Sequence, residues 1–264
     1  MSGPMNTGPR EWDAKTYDAI SDPQFSWGME VLGRLELNGD EVALDAGCGS
    51  GRVTEELAKR LPSGRITAVD GSEAMIAETR ERLSDLGDRA AYVVVDLAEL
   101  EVDEPVDLVF STATFHWILD HDRLFERLRA ALRPGGRLVA QCGGEGNVAE
   151  HAKVIATVAA RPEFVAHLGE MTGIWNFAAP EETEARLRNA GFGEARCWLE
   201  PKPVQPERPL EFTSTVTLGP LLARLPEEQR RPFAEAILEE SEKPLVLDYV
   251  RLNIEARVAA RAGP

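Results

Sequence analysis

The sequence predicts an α/β fold, an open and mostly parallel sheet with helices on both faces. Three observations predict it. Short apolar runs alternate with stretches of helical spacing through residues 40–142. A glycine-rich turn, Gly47, Gly49 and Gly51, joins the first run to the first helix after it. Three successive runs end in an acid: Asp45, Asp70 and Asp96.

The elements follow in order. Val42, Ala43 and Leu44 form a run short and apolar enough for a strand buried on both faces. Val53, Leu57, Ala58 and Leu61 then recur at helical spacing. Strand, glycine turn and helix together let a ligand approach bare backbone at a helix N-terminus. Residues 65–70 read as a second strand, followed by Gly71, Ser72 and a helix carrying Met75, Ile76 and Leu83. An acid ending the second strand is placed to bind a ribose through its hydroxyls. Residues 91–95 make a third strand before Asp96 and Leu97, and residues 105–111 a fourth, ending in Ser111. Leu124, Phe125, Leu128 and Leu132 mark the next helix, which stops at Arg133-Pro-Gly-Gly136, and residues 137–141 form the fifth strand.

The glycine spacing is G-x-G-x-G led by an acid, not the G-x-G-x-x-G of a dinucleotide site. This pattern resembles motif I of class I S-adenosylmethionine (SAM)-dependent methyltransferases, and the LRPGG-x-L segment resembles a later motif of the same enzymes. The resemblance implies a Rossmann-like sheet of seven strands, the last inserted antiparallel within residues 245–258. It implies SAM as cofactor and S-adenosylhomocysteine as product. It assigns cofactor contacts to Asp45, Ala46, Gly47, Cys48, Gly49, Asp70, Gly71, Met75, Asp96, Leu97 and Ser111. Asp70 would hold both ribose hydroxyls, and Asp96 would face the adenine amino group.

Outside the core, Trp12-Asp13, Tyr17, Gln24, Phe25 and Trp27 precede an amphipathic stretch with Met29, Val31, Leu32 and Leu35. The W-D-x-x-x-Y pattern followed by Gln and Trp resembles the N-terminal cap of the trans-aconitate methyltransferase-like group, which includes malonyl-carrier-protein methyltransferases. That resemblance gives Tyr17 and Trp27 to the cofactor and Trp12 to the substrate. The segment F-H-W-I-L-D-H at 115–121 is similar to F-Q-W-L-x-D-H in that group, with His116 in place of Gln. R-L-x-I-x-A-R at 251–257 is similar to the group's last strand. Phe115, His116, Trp175, Tyr249 and Arg251 are therefore the substrate candidates, and His116 is the catalytic candidate. Arg251 suits bidentate pairing with a carboxylate, and Tyr249 two residues away shares its strand face. A surface salt bridge is the competing reading of Arg251. His121 reads as a helix-start residue, and His151 and His167 as surface residues.

After the fifth strand, helices are expected at 148–160, 162–170, 181–190 and 210–240, an aromatic loop at 173–180, and a sixth strand at 194–200. One methyltransferase domain is expected over 1–264, with an N-terminal cap (1–38), a SAM-binding core (39–142) and lid insertions (143–178 and 208–243).

Composition narrows the partners. The 264 residues suffice for one such domain with a cap. A net charge of −16 repels a phosphate backbone, so no nucleic acid is expected. No apolar run approaches the ~20 residues of a membrane span, and the N-terminus lacks a signal-peptide core. Cys48, Cys142 and Cys197 are scattered without C-x-x-C spacing, which fits a cytoplasmic protein and no metal cluster. The expected activity is methyl transfer to a small organic acceptor, with a carboxylate oxygen considered first. A carboxylate arrives ionised and needs positioning groups only. The alternatives are another O-, N- or C-acceptor with His116 as base, or a SAM-binding protein without turnover.

Overall fold

The computed structural model describes residues 22–168 and 174–260. Trp12 and Tyr17 lie outside the described residues, as does the predicted end of the second post-core helix at 169–170. Seven strands form one sheet: β1 (Val42–Ala46), β2 (Arg65–Asp70), β3 (Ala90–Val94), β4 (Val106–Thr112), β5 (Leu132–Gly143), β6 (Glu194–Pro201) and β7 (Val250–Arg257). Their order is β3-β2-β1-β4-β5-β7-β6. β1 to β5 pair in parallel, whereas β7 runs antiparallel between β5 and β6. The seven strands and the antiparallel last one agree with the expectation from the motifs.

Helices α1 (Asp22–Gly33), α2 (Arg52–Lys59), α3 (Glu73–Arg82) and α4 (His121–Ala131) flank the strands. Side-chain alternation splits the core between the two sheet faces. On one face Leu108 and Phe110 of β4 meet Val31 and Leu32 of α1 and Leu57 of α2. On the other, Val109 meets Leu124, Phe125 and Leu128 of α4. The helix α1 starts early enough to include Gln24, Phe25 and Trp27, so these side chains belong to the helix laid on the sheet.

The predicted turn at 133–136 is instead an irregularity inside β5. Leu132 pairs with Val106, the register then shifts, and Arg137 pairs with Leu108. Gly135 at φ +82° absorbs the shift.

The segments flanking β6 are helical: α5 (Ala149–Ala159), α6 (Pro162–Leu168), α7 (Pro180–Asn189), α8 (Pro209–Phe212), α9 (Gly219–Leu222) and α10 (Glu227–Glu240). A π-helical turn, Thr213–Thr217, follows α8. Ile155, Val158, Phe164, Leu221, Phe233 and Ile237 form a hydrophobic cluster of their own, shared by α5, α6, α9 and α10 without a strand residue. His151 is a correction: it is buried, with Nε2 3.1 Å from Thr217 Oγ1. A single histidine on α5 gives no periodic signal, and its burial follows from packing between two segments distant in sequence. Burial pushes its pKa down to about 4. His167 is exposed, as expected.

Candidate functional site

The glycine turn is built by backbone requirements. Gly47 and Cys48 donate their N–H groups to the carbonyl of Val69 at 2.7 and 3.0 Å, which locks the turn onto β2. The three glycines have φ of +83°, +56° and +81°. Their reasons for being glycine differ. A Cβ on Gly47 would lie 2.2 Å from Thr114, and one on Gly51 would lie 2.9 Å from Thr79 Oγ1. A Cβ on Gly49 would meet nothing within 4 Å among the described residues. Gly49 is therefore open, among those residues, to a ligand approaching the backbone.

The three strand-end acids are held differently. Asp45 is buried and accepts from Thr54 Oγ1 at 2.7 Å. Burial and the nearby Asp70 raise its pKa to about 7. Asp70 accepts from Gly49 N–H at 3.0 Å with one oxygen and from Ser72 N–H at 2.9 Å with the other. Gly71, half-buried between Asp70 and Ser72, lets the chain turn here, and Ser72 caps α3 at the N–H of buried Met75. Asp96 caps a short turn by accepting from Ala98 N–H at 2.9 Å. The side chain of the neighbouring Leu97 belongs to the core. Ser111 donates to the carbonyl of buried Ala46 at 2.6 Å, which ties β4 to β1 beneath the turn. Burial and the two acids hold the Cys48 thiol well above its ordinary pKa, so it stays protonated and inert.

The loop after β4 begins with Ala113 at φ +57°, a conformation rarely taken outside glycine. It continues into a 3-10 turn, Phe115–Trp117. Phe115 is fully buried, edge to face with Phe125 at 6.1 Å, and part of the core. A short turn sends adjacent residues in different directions, so Phe115 anchors the loop while His116 points elsewhere. His121 starts α4 as expected, and its Nε2 donates to the carbonyl of Phe115 at 2.9 Å.

His116 is buried and its Nδ1 lies 3.3 Å from the N–H of Gly143. A backbone N–H can only donate, so Nδ1 accepts and the ring proton sits on Nε2. Burial, then the Arg251 charge, holds His116 well below the usual imidazole range. It is a neutral imidazole whose outward nitrogen is a donor.

Arg251 reaches this place through sheet topology. Because β7 is antiparallel, its first residues lie beside the carboxyl end of β5, and Arg251 pairs with Gly143. The carboxyl edge is where open α/β sheets bind ligands. Alternation puts Leu252 and Ile254 into the core beside α4. It puts Asn253 on the α1 face, where Arg34, just past the end of α1, donates to it at 2.6 Å, and Arg251 follows. The Arg251 guanidinium lies over the Trp27 ring at 4.8 Å and is 2% exposed, so it sits inside the fold and not on its surface. Tyr249 precedes the strand and meets Trp27 edge to face at 5.1 Å. The sequence-predicted Trp27, Tyr249 and Arg251 thus come together. Trp175 stacks on Phe177 at 5.6 Å, and Phe177 stacks on His116 at 5.8 Å. Phe177 also packs against the group of Trp27, Tyr249 and Phe212.

Four contributors were missed as site residues. Phe177 and Phe212 complete the aromatic wall. Asn147 is buried and accepts from Val250 N–H at 2.9 Å, fixing the start of β7. Gln24 is buried, and its Oε1 has no hydrogen-bond partner among the described residues. The W-N-F run in the aromatic loop was the one visible signal for Phe177.

The strand order and an acid-led glycine turn open to a ligand define a class I methyltransferase fold. A methyltransferase-domain family profile matches residues 43–136. A trans-aconitate 2-methyltransferase of Methylobacterium nodulans is 32% identical over 189 residues, covering 72% of this chain and 67% of its own. One from Paracidovorax citrulli is 29% identical over 242 residues, covering 86% and 87%. A malonyl-[acyl-carrier protein] O-methyltransferase of Priestia megaterium is 36% identical over 140 residues, 52% and 50% of the two chains. Among solved structures, a Haemonchus contortus phosphoethanolamine N-methyltransferase complex shares the fold at TM-score 0.60 and 22% identity, over 94% of this chain and 57% of its own. The [4+2]-cyclase SpnF shares it at TM-score 0.59 and 20% identity, over 98% and 90%. The chain belongs to the class I SAM-dependent methyltransferases, in the trans-aconitate 2-methyltransferase group.

Proposed function

We propose that this enzyme methylates a carboxylate oxygen of a small organic acid, held by Arg251 and by the Nε2–H of His116. The observation that carries the reading is the Gly143 N–H directed at His116 Nδ1. It leaves His116 a donor where a general base would need a lone pair. A donor beside a buried guanidinium suits an anionic acceptor.

The cofactor side fits SAM. Gly49 is open, Asp70 ends β2, and the buried Gln24 oxygen lacks a donor among the described residues. Gly47, Cys48, Gly49, Asp70, Asp96 and Gln24 would hold the cofactor. When bound, it supplies an electrophilic methyl group on a sulfonium; a carboxylate oxygen takes the methyl with no proton to move. The chain's own work is then to orient the acceptor and exclude water. We assign exclusion to the helical segments within 143–178 and 208–243, acting as a lid, and to the N-terminal cap, of which Trp27 is the described part. The relatives' names support the acceptor class, since they specify trans-aconitate and a malonyl group. The same reading makes the enzyme cytoplasmic and its partner a small molecule. The acidic charge and the three buried free cysteines support that reading, and no helix among the described residues is long and apolar enough to cross a membrane.

The test is a pair of variants. Arg251→Ala should raise KM for the acceptor by about 10- to 100-fold, the worth of hydrogen bonds to a charged group. His116→Gln should stay within a few-fold of wild type, because a carboxamide can accept from Gly143 and still donate outward. Its rate should be flat from pH 6 to 8. A loss of about 10²–10⁴ in kcat, with a rate that climbs with pH in the wild type, would instead make His116 a base.

A further inference from the structure

Thr114 joins the loop that carries His116 to the glycine turn. Its hydroxyl donates towards the carbonyls of Gly47, at 3.1 Å, and of Thr112, at 3.0 Å. A hydroxyl has one proton, so the two carbonyls share it, and the end of β4 is bridged to the turn after β1. The same side chain rests on Gly47. A Cβ built there would run into the hydroxyl, the methyl and the Cβ of Thr114. Glycine at 47 is thus what lets Thr114 approach the turn.

The turn has other bonds that keep its shape. The N–H groups of Gly47 and Cys48 hold it to Val69, and Gly51 N–H bonds the carbonyl of Cys48. The loop is the part that depends on Thr114. It leaves β4 through Ala113 at φ +57°, a conformation that persists in a non-glycine residue only where its surroundings impose it. One such constraint is the 2.7 Å bond from Ala113 N–H to the carbonyl of Gln141. The carbonyl of Thr114 then accepts from Trp117 N–H at 2.9 Å and closes the turn in which His116 sits. Gln141 and Gly143 set this loop against β5, and Thr114 sets it against the cofactor turn.

We propose that Thr114 is a positioning residue for methyl transfer. It fixes the distance between the cofactor turn and His116, and so between the methyl group and the acceptor. The proposal rests on His116 touching the acceptor, as above, and adds the residue that aligns it. A misplacement of about 1 Å between reacting groups can cost ~100-fold in rate.

The experiment compares full-length wild type with Thr114→Val, which keeps the outline but loses the hydroxyl, and Thr114→Ser, which keeps the hydroxyl. One readout needs no acceptor: hydrogen–deuterium exchange of amides 113–118 with and without S-adenosylhomocysteine. The nucleoside should slow exchange there by about 3- to 10-fold in wild type and Thr114→Ser, the scale of one net hydrogen bond. In Thr114→Val it should slow exchange by less than about twofold. The second readout is turnover with SAM of trans-aconitate, malonate and benzoate, with phenol and benzylamine alongside. Thr114→Val should lose about 10- to 100-fold in kcat, with acceptor KM and calorimetric affinity for S-adenosylhomocysteine within about threefold of wild type. Thr114→Ser should recover kcat to within about threefold. A threonine that only stabilised the fold would lower the melting temperature and leave the exchange difference and kcat intact, which overturns the proposal. Cofactor affinity that falls as far as kcat makes Thr114 part of the turn and also overturns it. Thr114→Ser as slow as Thr114→Val assigns the effect to methyl packing, with the same consequence. Turnover confined to phenol or benzylamine removes the carboxylate reading, and the exchange comparison then decides the role of Thr114 by itself. If Thr114→Val does not fold, Thr114→Ala, which adds no atom, gives the same comparison.

Discussion

The cofactor half and the acceptor half of this molecule are built on different principles. The cofactor half is local. Most of its turns and caps form within neighbouring βα units, and Asp70 is held by Gly49 and Ser72. The acceptor half is a joint. Trp27 from α1, His116 after β4, Phe177 from the aromatic loop and Arg251 from β7 meet only once the sheet is closed. Helices α5, α6, α9 and α10 have their own hydrophobic cluster, separate from the two sheet faces. Nucleotide binding can therefore be kept while the joint changes, and fold relatives as different as an N-methyltransferase and a cyclase share the frame.

The separate cluster gives the largest expected effect. Phe233 is fully buried and edge to face with Phe164 at 5.0 Å. Phe233→Ala should cost about 3–5 kcal/mol of local stability. Two calorimetric transitions, with S-adenosylhomocysteine still raising the upper one, would sharpen the division into halves. A single lowered transition that also abolishes cofactor binding would break it.

Next come the glycines. Gly47→Ala combines a strained φ with an approach to Thr114 far inside contact distance, and should destabilise by about 2–4 kcal/mol in a urea melt. Gly49→Val should leave stability closer to wild type and weaken SAM binding in calorimetry. A Gly49→Val protein that binds SAM normally would remove that open face from the cofactor site.

Asp70→Ala should weaken SAM by about 1.5–3 kcal/mol, as for a hydrogen bond to a charged group. Arg251→Ala should leave SAM affinity unchanged. Calorimetry that finds both variants equally impaired would mean that the halves are coupled.

The last comparison is a pH slope. The folded pKa of Asp45, about 7, lies above its ordinary 3.8. The folded state keeps a proton that the unfolded state loses, so Asp45 stabilises most below pH 4 and that contribution disappears as pH rises through 7. The slope is at most about 1.4 kcal/mol per pH unit. His151 acts in the opposite sense, since its depressed pKa removes stability as pH falls from 6.5 towards 4. Urea melts at pH 5, 6 and 7 isolate the first term as the difference between wild type and Asp45→Asn. A difference independent of pH would show Asp45 ionised throughout.

The sequence by itself determined the core: the strands with their acids, the glycine turn, the helices between them and the cofactor. Periodicity and turn chemistry are local, and burial in a parallel sheet follows from runs such as Val42-Ala-Leu44 without knowledge of neighbours. Sequence also named Trp27, His116, Tyr249 and Arg251 through short resemblances, and Trp175 through its aromatic loop. It misjudged His151 because a side chain's direction between two packed segments has no period to betray it. Only the tertiary structure decided what those residues do. The antiparallel insertion of β7 brings Arg251 level with Gly143, and the N–H of Gly143 fixes the tautomer of His116. Register between strands and the direction of a single backbone N–H are properties of the closed sheet, set by pairings more than 100 residues apart in the chain.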